Sequence, residues 1–267
     1  MPLVHLDTLD GLDAVPVNGR TIAILPVAAT EAHGPHLPAS TDCDIAAGHL
    51  GALGPYLDGG IDAVVLPIQT IGASDEHGRF DETKSLPVAS LIARWFGIAS
   101  HFAAAGGRRL VIVSSHGGNT PTVDAVILKA RAELDMLAVG TAWMRFGFPE
   151  GLYSERERKY GIHGGAIETA LMLHYRPDLV KTGSIADFPS RLEALEADML
   201  YLSGYGAHRF GWLSGDLNEK GVVGDARLAD REKGAIHADH ILKGFAELLG
   251  EVARFDLGWL KEGNRGR

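Results

Sequence analysis

Residues 21–27 read "TIAILPV", and they run directly into "AATEAHGPHLPASTD", which ends at Asp42. The first part is a continuous apolar run, which is typical of a strand covered on both faces of a parallel sheet. The second part contains two prolines, which lack the amide hydrogen that a helix interior needs. The sequence therefore predicts a buried strand that opens into a polar loop, and this pattern decides the fold.

The same pattern recurs along the chain. Three further short runs rich in β-branched residues are predicted as strands, at residues 63–68, 109–114 and 136–142. Apolar residues at helical spacing predict five helices, at residues 44–53, 88–105, 120–134, 168–175 and 230–254. Because strands and helices alternate, we expect a three-layer α/β/α fold with a mostly parallel central sheet.

The domain organisation is expected to be simple. No linker or change of composition divides the chain, so residues 1–267 are predicted to form one domain. Residues 176–228 are less regular and are predicted to be a helical excursion or an oligomer-contact segment. Within this part of the chain and before it, residues 144–160 and 185–215 are expected to face the substrate or another subunit.

Composition narrows the classes of function. The formal net charge is -9, which argues against binding to nucleic acid, since such binding requires a basic surface. The only cysteine is Cys43, which fits a reducing compartment. With no signal peptide and no apolar run long enough to span a membrane, the sequence predicts a cytoplasmic protein without membrane contact.

Polar residues cluster after the predicted strands. His, Asp and Glu side chains follow each of the first three predicted strands, and a further group lies at the start of the fourth predicted helix. The four stretches are "TEAHGPHLPASTD", "SDEH", "SSHGGN" and "HGGAIETALML". Ligands of open parallel sheets bind beyond the carboxyl ends of the strands. Donors of this type without cysteine favour Zn, Mn or Fe, and several carboxylates together indicate two cations.

These motifs, in this order and spacing, resemble the creatininase family of metal-dependent amidohydrolases. The later "GVVGDARLADREKG" also resembles the segment that precedes the last helix of the family, and the resemblance covers roughly residues 20–245. It implies the three-layer α/β fold, a centre of two divalent metal ions per chain, and a homo-oligomer, often a hexamer. Zinc is the expected metal, with manganese or iron as alternatives.

The resemblance also implies roles for single residues. By motif, the metal ligands are Glu31, His33, Asp42 and His116, with Asp42 bridging the two ions. Creatininase carries a tyrosine and a glutamate ligand where this chain has "HGGN", that is, Gly117 and Gly118. Glu168 is therefore the candidate for the open ligand position, as in glycine-bearing relatives. His163 matches a histidine that is proposed as an acid/base near the substrate.

The predicted function is hydrolysis of a C–N amide bond in a small linear or cyclic amide by metal-activated water. The substrate would be a creatinine-like lactam, a formamide or a related molecule, and the enzyme would act on C–N bonds other than peptide bonds. Within the family, the alternatives are a lactone or ester hydrolase and a peptidase-like enzyme. The alternative outside it is a non-catalytic α/β protein that binds a metal or a small ligand.

Other polar residues have structural interpretations. His36 and His77 are expected to orient ligands or to serve the loop structure, and Asp44 is the predicted cap of the first long helix. Cys43 is expected to be a small buried thiol. His237 and His240 are interpreted as one face of the last helix, not as a metal site. Tyr153, Arg156 and Arg158 are expected to form a solvated charged face, with binding of an anionic substrate as the alternative.

Overall fold

The computed structural model describes residues 3–261, and its centre is a parallel β-sheet of five strands in the order β1-β3-β2-β4-β5. All four pairings between neighbouring strands are parallel. The strands of this sheet are β1 Val4–His5, β2 Ile22–Val27, β3 Ala63–Val65, β4 Arg109–Ser114 and β5 Leu137–Ala142. The predicted parallel sheet is thus confirmed, although the strand expected at residues 63–68 is three residues long.

Eight α-helices surround the sheet in the described residues. They are α1 Thr41–Ala52, α2 Val88–Ala104, α3 Thr120–Leu134, α4 Glu155–Tyr160, α5 Ala166–Tyr175, α6 Arg191–Ala197, α7 Ser214–Leu217 and α8 Arg231–Arg254. All five predicted helices are present. Two begin earlier than expected, since α1 starts at Thr41 and α5 at Ala166.

The two faces of the sheet have separate hydrophobic cores. On one face, α2 and α3 pack against alternate side chains of β2 and β4, around the buried Trp95 and Phe102. On the other face, α8 supplies Phe245 and Leu249, which pack with Trp143 and the remaining side chains of the same strands. Helix α5 packs mainly on α8 and α1. The predicted three-layer architecture is confirmed, and it explains why β2 and β4 are buried throughout and why all of β2 and the middle of β4 are apolar.

The segment at residues 176–228 is an excursion from this sheet. It contains α6, α7 and a small antiparallel pair, β6 Asp187–Phe188 with β7 Gly224–Asp225. Its return limb re-enters the main body, since the Val223 amide donates to the His163 carbonyl oxygen at 2.8 Å. The excursion is therefore anchored next to the carboxyl end of the sheet.

Candidate metal centre

Two neighbouring strands end side by side and deliver the first two polar groups. Val27 of β2 pairs with Ser114 of β4 at the last position of both strands. Glu31 follows β2 by four residues and His116 follows β4 by two. Because the strands are parallel, both loops leave at the same edge, and His116 Nδ1 lies 3.0 Å from Glu31 Oε1.

Helix α1 brings in Asp42. The helix begins at Thr41, whose hydroxyl donates to the Pro38 carbonyl oxygen at 2.7 Å, so Asp42 lies in its first turn and is 2 % exposed. A carboxylate is favoured there by the helix dipole. The predicted cap at Asp44 is wrong, because the helix starts three residues earlier and Ser40 is the N-cap residue. Asp44 instead accepts from Arg176 at 2.9 Å.

Helix α5 and the turn before it bring in Glu168 and His163. The Gly164 amide donates to Glu168 Oε2 at 2.6 Å, which fixes that carboxylate in the first turn of the helix. Gly164 has a positive φ of +67°, and a Cβ atom there would lie 2.6 Å from the side chain of Val222. Glycine is thus required for the turn that carries both residues.

Two groups of donors share Asp42. One consists of Glu31, Asp42 and His116, and the other of His33, Asp42 and Glu168. Within each group the ligand atoms lie within 4.8 Å of one another. This spacing fits one cation per group, with the Asp42 carboxylate between them. The five residues predicted as ligands are thus brought together in space, and their ligand roles remain predictions.

Hydrogen bonds orient the two histidines toward these carboxylates. His116 Nε2 lies 2.8 Å from the Ala73 carbonyl oxygen, which only accepts, so Nε2 carries a hydrogen and Nδ1 points to Glu31. In the same way, His33 Nδ1 donates to the Glu31 carbonyl oxygen at 2.9 Å, and its Nε2 faces Asp42 and Glu168 at 3.7 and 3.6 Å. Such outer hydrogen bonds are typical of metal-binding histidines.

Several of these atoms are buried and have no hydrogen-bond partner among residues 3–261. They are both carboxylate oxygens of Glu31, His33 Nε2 and Asp42 Oδ2. Leaving such groups unpaired is costly. The lone pair of a neutral histidine cannot stabilise a carboxylate that faces it, so either a proton or a cation must lie between the two. The donor set therefore fits divalent cations.

The electrostatics of the metal-free centre are consistent with this. Burial raises the pKa of Asp42 well above its usual value, and the charge of Glu31 raises it further. Burial also acts to raise the pKa of Glu31, but His116 outweighs it and the pKa falls well below its usual value. Burial lowers the pKa of His33 to about 3, so this side chain is neutral. Burial acts to lower the pKa of His116, but the charge of Glu31 outweighs it and the pKa rises well above its usual value. Neutral imidazole and ionised carboxylate are the forms that bind metals, so metal binding would release the protons that Asp42 and His116 hold.

Comparison with known proteins gives an independent assignment. The family model for creatininase, described as creatinine amidohydrolase, matches residues 9–249. The chain belongs to the creatininase family. This confirms the resemblance inferred from the ordered motifs.

Named relatives within the creatininase family have different substrates. The chain is 32 % identical over 169 residues to a mycofactocin precursor peptide peptidase of Mycolicibacterium smegmatis, which covers 61 % of this chain and 62 % of that protein. The match thus spans less than two thirds of that relative. The chain is 29 % identical over 260 residues to a creatinine amidohydrolase of Pseudomonas putida, covering 87 % and 90 % of the two chains.

Solved structures agree on the fold. A Bacteroides fragilis protein provisionally described as a creatinine amidohydrolase superposes with a TM-score of 0.75 at 25 % identity, covering 95 % of this chain and 98 % of that one. Two creatininase structures, one described as a manganese form and one as a Zn–Zn variant, superpose with TM-scores of 0.67 and 0.66 at 24 % identity. The three-layer α/β fold of the family is therefore shown.

The "HGGN" motif shows where this chain departs from creatininase. A Cβ atom at Gly118 would lie 2.4 Å from both the Ala73 carbonyl oxygen and His116 Nε2. No side chain fits there without movement of the backbone, so this position cannot carry the glutamate ligand that the resemblance to creatininase implies. In this chain, the carboxylate of Glu168 faces His33 instead.

Two residues near the centre were underestimated from sequence. His77 was given only an orienting or loop role, yet it is 2 % exposed, and its ring lies 4.2 Å from that of His163. Glu76 belongs to the polar cluster "SDEH" predicted after the second strand, although no ligand role is predicted for it, and its Oε1 lies 3.3 Å from His116 Nε2. Together with Glu31, Glu76 and His77 form a further group of close donors. Their place within "SDEH" is the sequence signal that indicates this group.

Three further histidines and Cys43 have contacts that fit structural roles. His36 is buried and its Nε2 lies 3.0 Å from the Thr169 hydroxyl. His237 and His240 face backbone carbonyl oxygens of the loop after β5, as expected for a helix face. Cys43 is half-buried, and burial raises the pKa of its thiol to about 12. It is therefore not activated as a nucleophile.

A cavity of about 610 Å³ opens above the donors. Its floor comprises Glu31, Asp42, Glu76, His77, His116, His163 and Glu168, and its outer wall comprises Tyr205, Arg209, Phe210 and Trp212. Of the two segments expected to face a substrate, residues 185–215 supply this wall. Residues 144–160 do not line the cavity: Tyr153 is buried beside His237, and Arg156 pairs with Glu193. No helix in residues 3–261 is long and apolar enough to cross a membrane.

Proposed function

We propose that the chain is a metal-dependent amidohydrolase that cleaves a C–N bond of a small linear or cyclic amide. The observation that carries the proposal is the buried Asp42 carboxylate shared by two groups of donors whose facing atoms lack hydrogen-bond partners. Glu31, Asp42 and His116 would hold one divalent cation, and His33, Asp42 and Glu168 the other. Zinc, with manganese as an alternative, fits both these donors and the metals named for solved creatininases.

Two such cations, when bound, would polarise an amide carbonyl and lower the pKa of water to near neutrality. The protein supplies the positions and buries the ligands. Glu31, His33, Asp42 and His116 are each at most 5 % exposed, so these side chains are largely shielded from bulk water. Low local polarity strengthens every charge interaction made there.

His163 is the proposed acid/base. Its Nε2 lies 2.8 Å from the Ala32 carbonyl oxygen and therefore carries a hydrogen, which leaves Nδ1 free to take up a proton. Nδ1 lies 3.6 Å from Glu31 Oε1, and the side chain lines the cavity. An imidazole at this place is suited to pass a proton to the leaving nitrogen.

A peptidase-like function is the second candidate. It is favoured by the match to peptide peptidases and by a cavity that is open and walled by aromatic side chains. The bond cleaved is again an amide, so the two candidates differ in the size of the substrate and share the same centre.

The test is the metal content per chain, measured by elemental analysis after metal loading and dialysis. We expect two ions in the natural chain and about one in Glu168→Gln. Glutamine has nearly the shape of glutamate but no charge, so the group of His33, Asp42 and Glu168 would lose a charged ligand. Glu157→Gln is the matched control: Glu157 is a buried glutamate of α4 whose carboxylate contacts the start of α5, but it accepts from the Ala166 and Asp225 amides and faces no donor group. It should keep both ions.

Activity is then measured on the loaded chain with a formamide, a lactam such as creatinine, a short peptide and a lactone. Cleavage of the C–N bond in one of the first three supports the proposal; the formamide and the peptide would release an amine, and the lactam would open its ring. Turnover of the lactone alone would make the chain an ester hydrolase. Failure to retain any metal after reconstitution would refute the two-cation centre and favour a non-catalytic binding protein.

A further inference from the structure

One cationic side chain stands out in the cavity. Among the described residues that line the cavity, Arg209 is the single lysine or arginine. Five carboxylates also line it: Glu31, Asp42, Glu76, Asp124 and Glu168. Three of the five belong to the proposed metal ligands, whose charge the two cations would neutralise. Arg209 is then a positive charge facing a cavity that no longer repels anions.

Among residues 3–261, Arg209 has no ion pair with an aspartate or glutamate, unlike Arg131, Arg156, Arg176 and Arg227. Within the same residues, its hydrogen bond is from Nη1 to the Gly206 carbonyl oxygen, at a long 3.3 Å. A guanidinium group has five N–H donors in a planar fork, so most of this fork is available.

The loop that carries Arg209 is held in place. The Phe210 amide donates to the Ser203 carbonyl oxygen at 3.1 Å, and the Ser203 amide donates to the His208 carbonyl oxygen at 3.2 Å. Glu196 accepts from the Ser203 hydroxyl at 2.6 Å and from the Gly204 amide at 3.2 Å. Arg209 therefore projects from a closed turn, which reduces the entropy lost when it binds a ligand.

Two aromatic side chains lie on the same wall. The rings of Tyr205 and Trp212 are 5.6 Å apart, and Trp212 Nε1 donates to the Gly204 carbonyl oxygen at 3.0 Å. Tyr205 remains 46 % exposed, although aromatic side chains of this size are usually more buried. They offer an apolar surface next to the guanidinium group.

We infer that Arg209 binds an anionic oxygen group, a carboxylate or a phosphate, on the substrate, while Tyr205 and Trp212 contact its apolar part. A planar guanidinium group pairs with either anion through two parallel hydrogen bonds. The inference rests on the proposed function, because the molecule that carries the anionic group is the amide that the metal centre would cleave. It makes the substrate an acidic amide, in contrast to neutral creatinine.

The experiment uses three ligands that differ only in one group: N-formyl-phenylalanine, its neutral carboxamide, and the corresponding phosphonate. Their dissociation constants are measured by calorimetry on the metal-loaded chain, together with release of formate. We expect one anionic ligand to bind about 10- to 100-fold more tightly than the carboxamide, as for a charge-assisted hydrogen bond. Which of the two anions binds more tightly identifies the source of the charge.

Variants separate recognition from structure. Arg209→Gln should bring the ratio of anion to carboxamide affinity close to one, and Arg209→Lys should restore part of it. Arg191→Gln is the matched control, because Arg191 is an exposed arginine of the same excursion that does not line the cavity. A purely structural role of Arg209 would weaken all three ligands equally and leave the ratio unchanged.

Equal affinity of the natural chain for the three ligands, including a failure to bind any of them, would overturn the inference. So would a ratio that survives in Arg209→Gln. If the anions are preferred but no formate is released from any ligand, hydrolysis of formamides fails and the inference on Arg209 stands. If formate is released equally from acid and carboxamide, the proposed function stands and the inference fails.

Discussion

The floor of the cavity and its outer wall are built in different ways. The floor lies at the ends of two adjacent parallel strands and at the first turns of α1 and α5, and its donor residues Glu31, His33, Asp42 and His116 are buried. The wall belongs to a long loop between α6 and α7, where Tyr205 and Arg209 are exposed. The comparison suggests that the sheet fixes the chemistry and the excursion selects the substrate.

The strongest test of this division is removal of the shared ligand. In Asp42→Asn we expect both metal ions to be lost on dialysis and turnover to fall to background, because both groups of donors contain Asp42. The metal-free variant should be more stable to urea at pH 7 than the metal-free natural chain, since burial disfavours the Asp42 charge. Elemental analysis and urea titration measure the two effects. Retention of two ions would remove Asp42 from the centre.

The next test separates a catalytic residue of the floor from its ligands. His163→Gln should reduce kcat by about 10²- to 10⁴-fold, the range for loss of a general acid or base. Both metal ions should remain, because His163 is outside the two groups that share Asp42. Loss of one ion in this variant would instead make His163 a ligand and leave the acid/base role unassigned.

A third test concerns pH and the buried histidines. Burial lowers the pKa of His33 to about 3, that of His49 to about 3 and that of His77 to about 2. Between pH 6.5 and 4.5 the unfolded chain binds protons at these histidines while the folded chain does not, so stability falls as pH falls. Each one contributes about 1.4 kcal/mol per pH unit at most.

The carboxyls of Asp42 and Glu168 act against this trend. Their pKa values are raised by burial, so they bind protons in the folded chain at pH values where the unfolded chain has released them. The histidines outnumber them, and we expect a net loss of stability on acidification of the metal-free chain. Urea titrations at several pH values measure the slope, and His77→Gln should make it shallower. A slope of zero in the natural chain would contradict the assignment of neutral buried histidines.

The smallest expected effect lies on the wall. Trp212→Ala should raise KM about 2- to 10-fold with kcat nearly unchanged, because an aromatic contact of this kind is worth about 0.5–1.5 kcal/mol. Steady-state kinetics on the best substrate measure this change, with the exposed Trp259 as a control position. A fall in kcat comparable to that in His163→Gln would show that the wall takes part in the chemistry and would break the division.

The same division separates what sequence could and could not predict. The residues of the floor could be predicted because buried parallel strands appear in the sequence as continuous apolar runs. The polar residues that follow such strands lie at the same edge of the sheet and therefore come close together. Asp44 was mistaken for the cap because Ser40, Thr41 and Asp44 are all of residue types that cap helices, so residue type alone does not locate the start of the helix. The wall was missed at residue level because Arg209 and Trp212 lie in a loop held by backbone hydrogen bonds, which have no sequence periodicity.

The tight packing around Gly118 has a consequence for how such centres can change. The resemblance places a glutamate ligand of creatininase at this position, whereas here the Ala73 carbonyl oxygen, His116 and Glu76 fill the space that a side chain would need. A glutamate introduced at 118 cannot replace Glu168 until the turn at residues 73–76 moves. Changing one arrangement into the other therefore requires several substitutions in a fixed order. If the glutamate were lost at one position before the other position could accept it, the metal centre would lack a ligand.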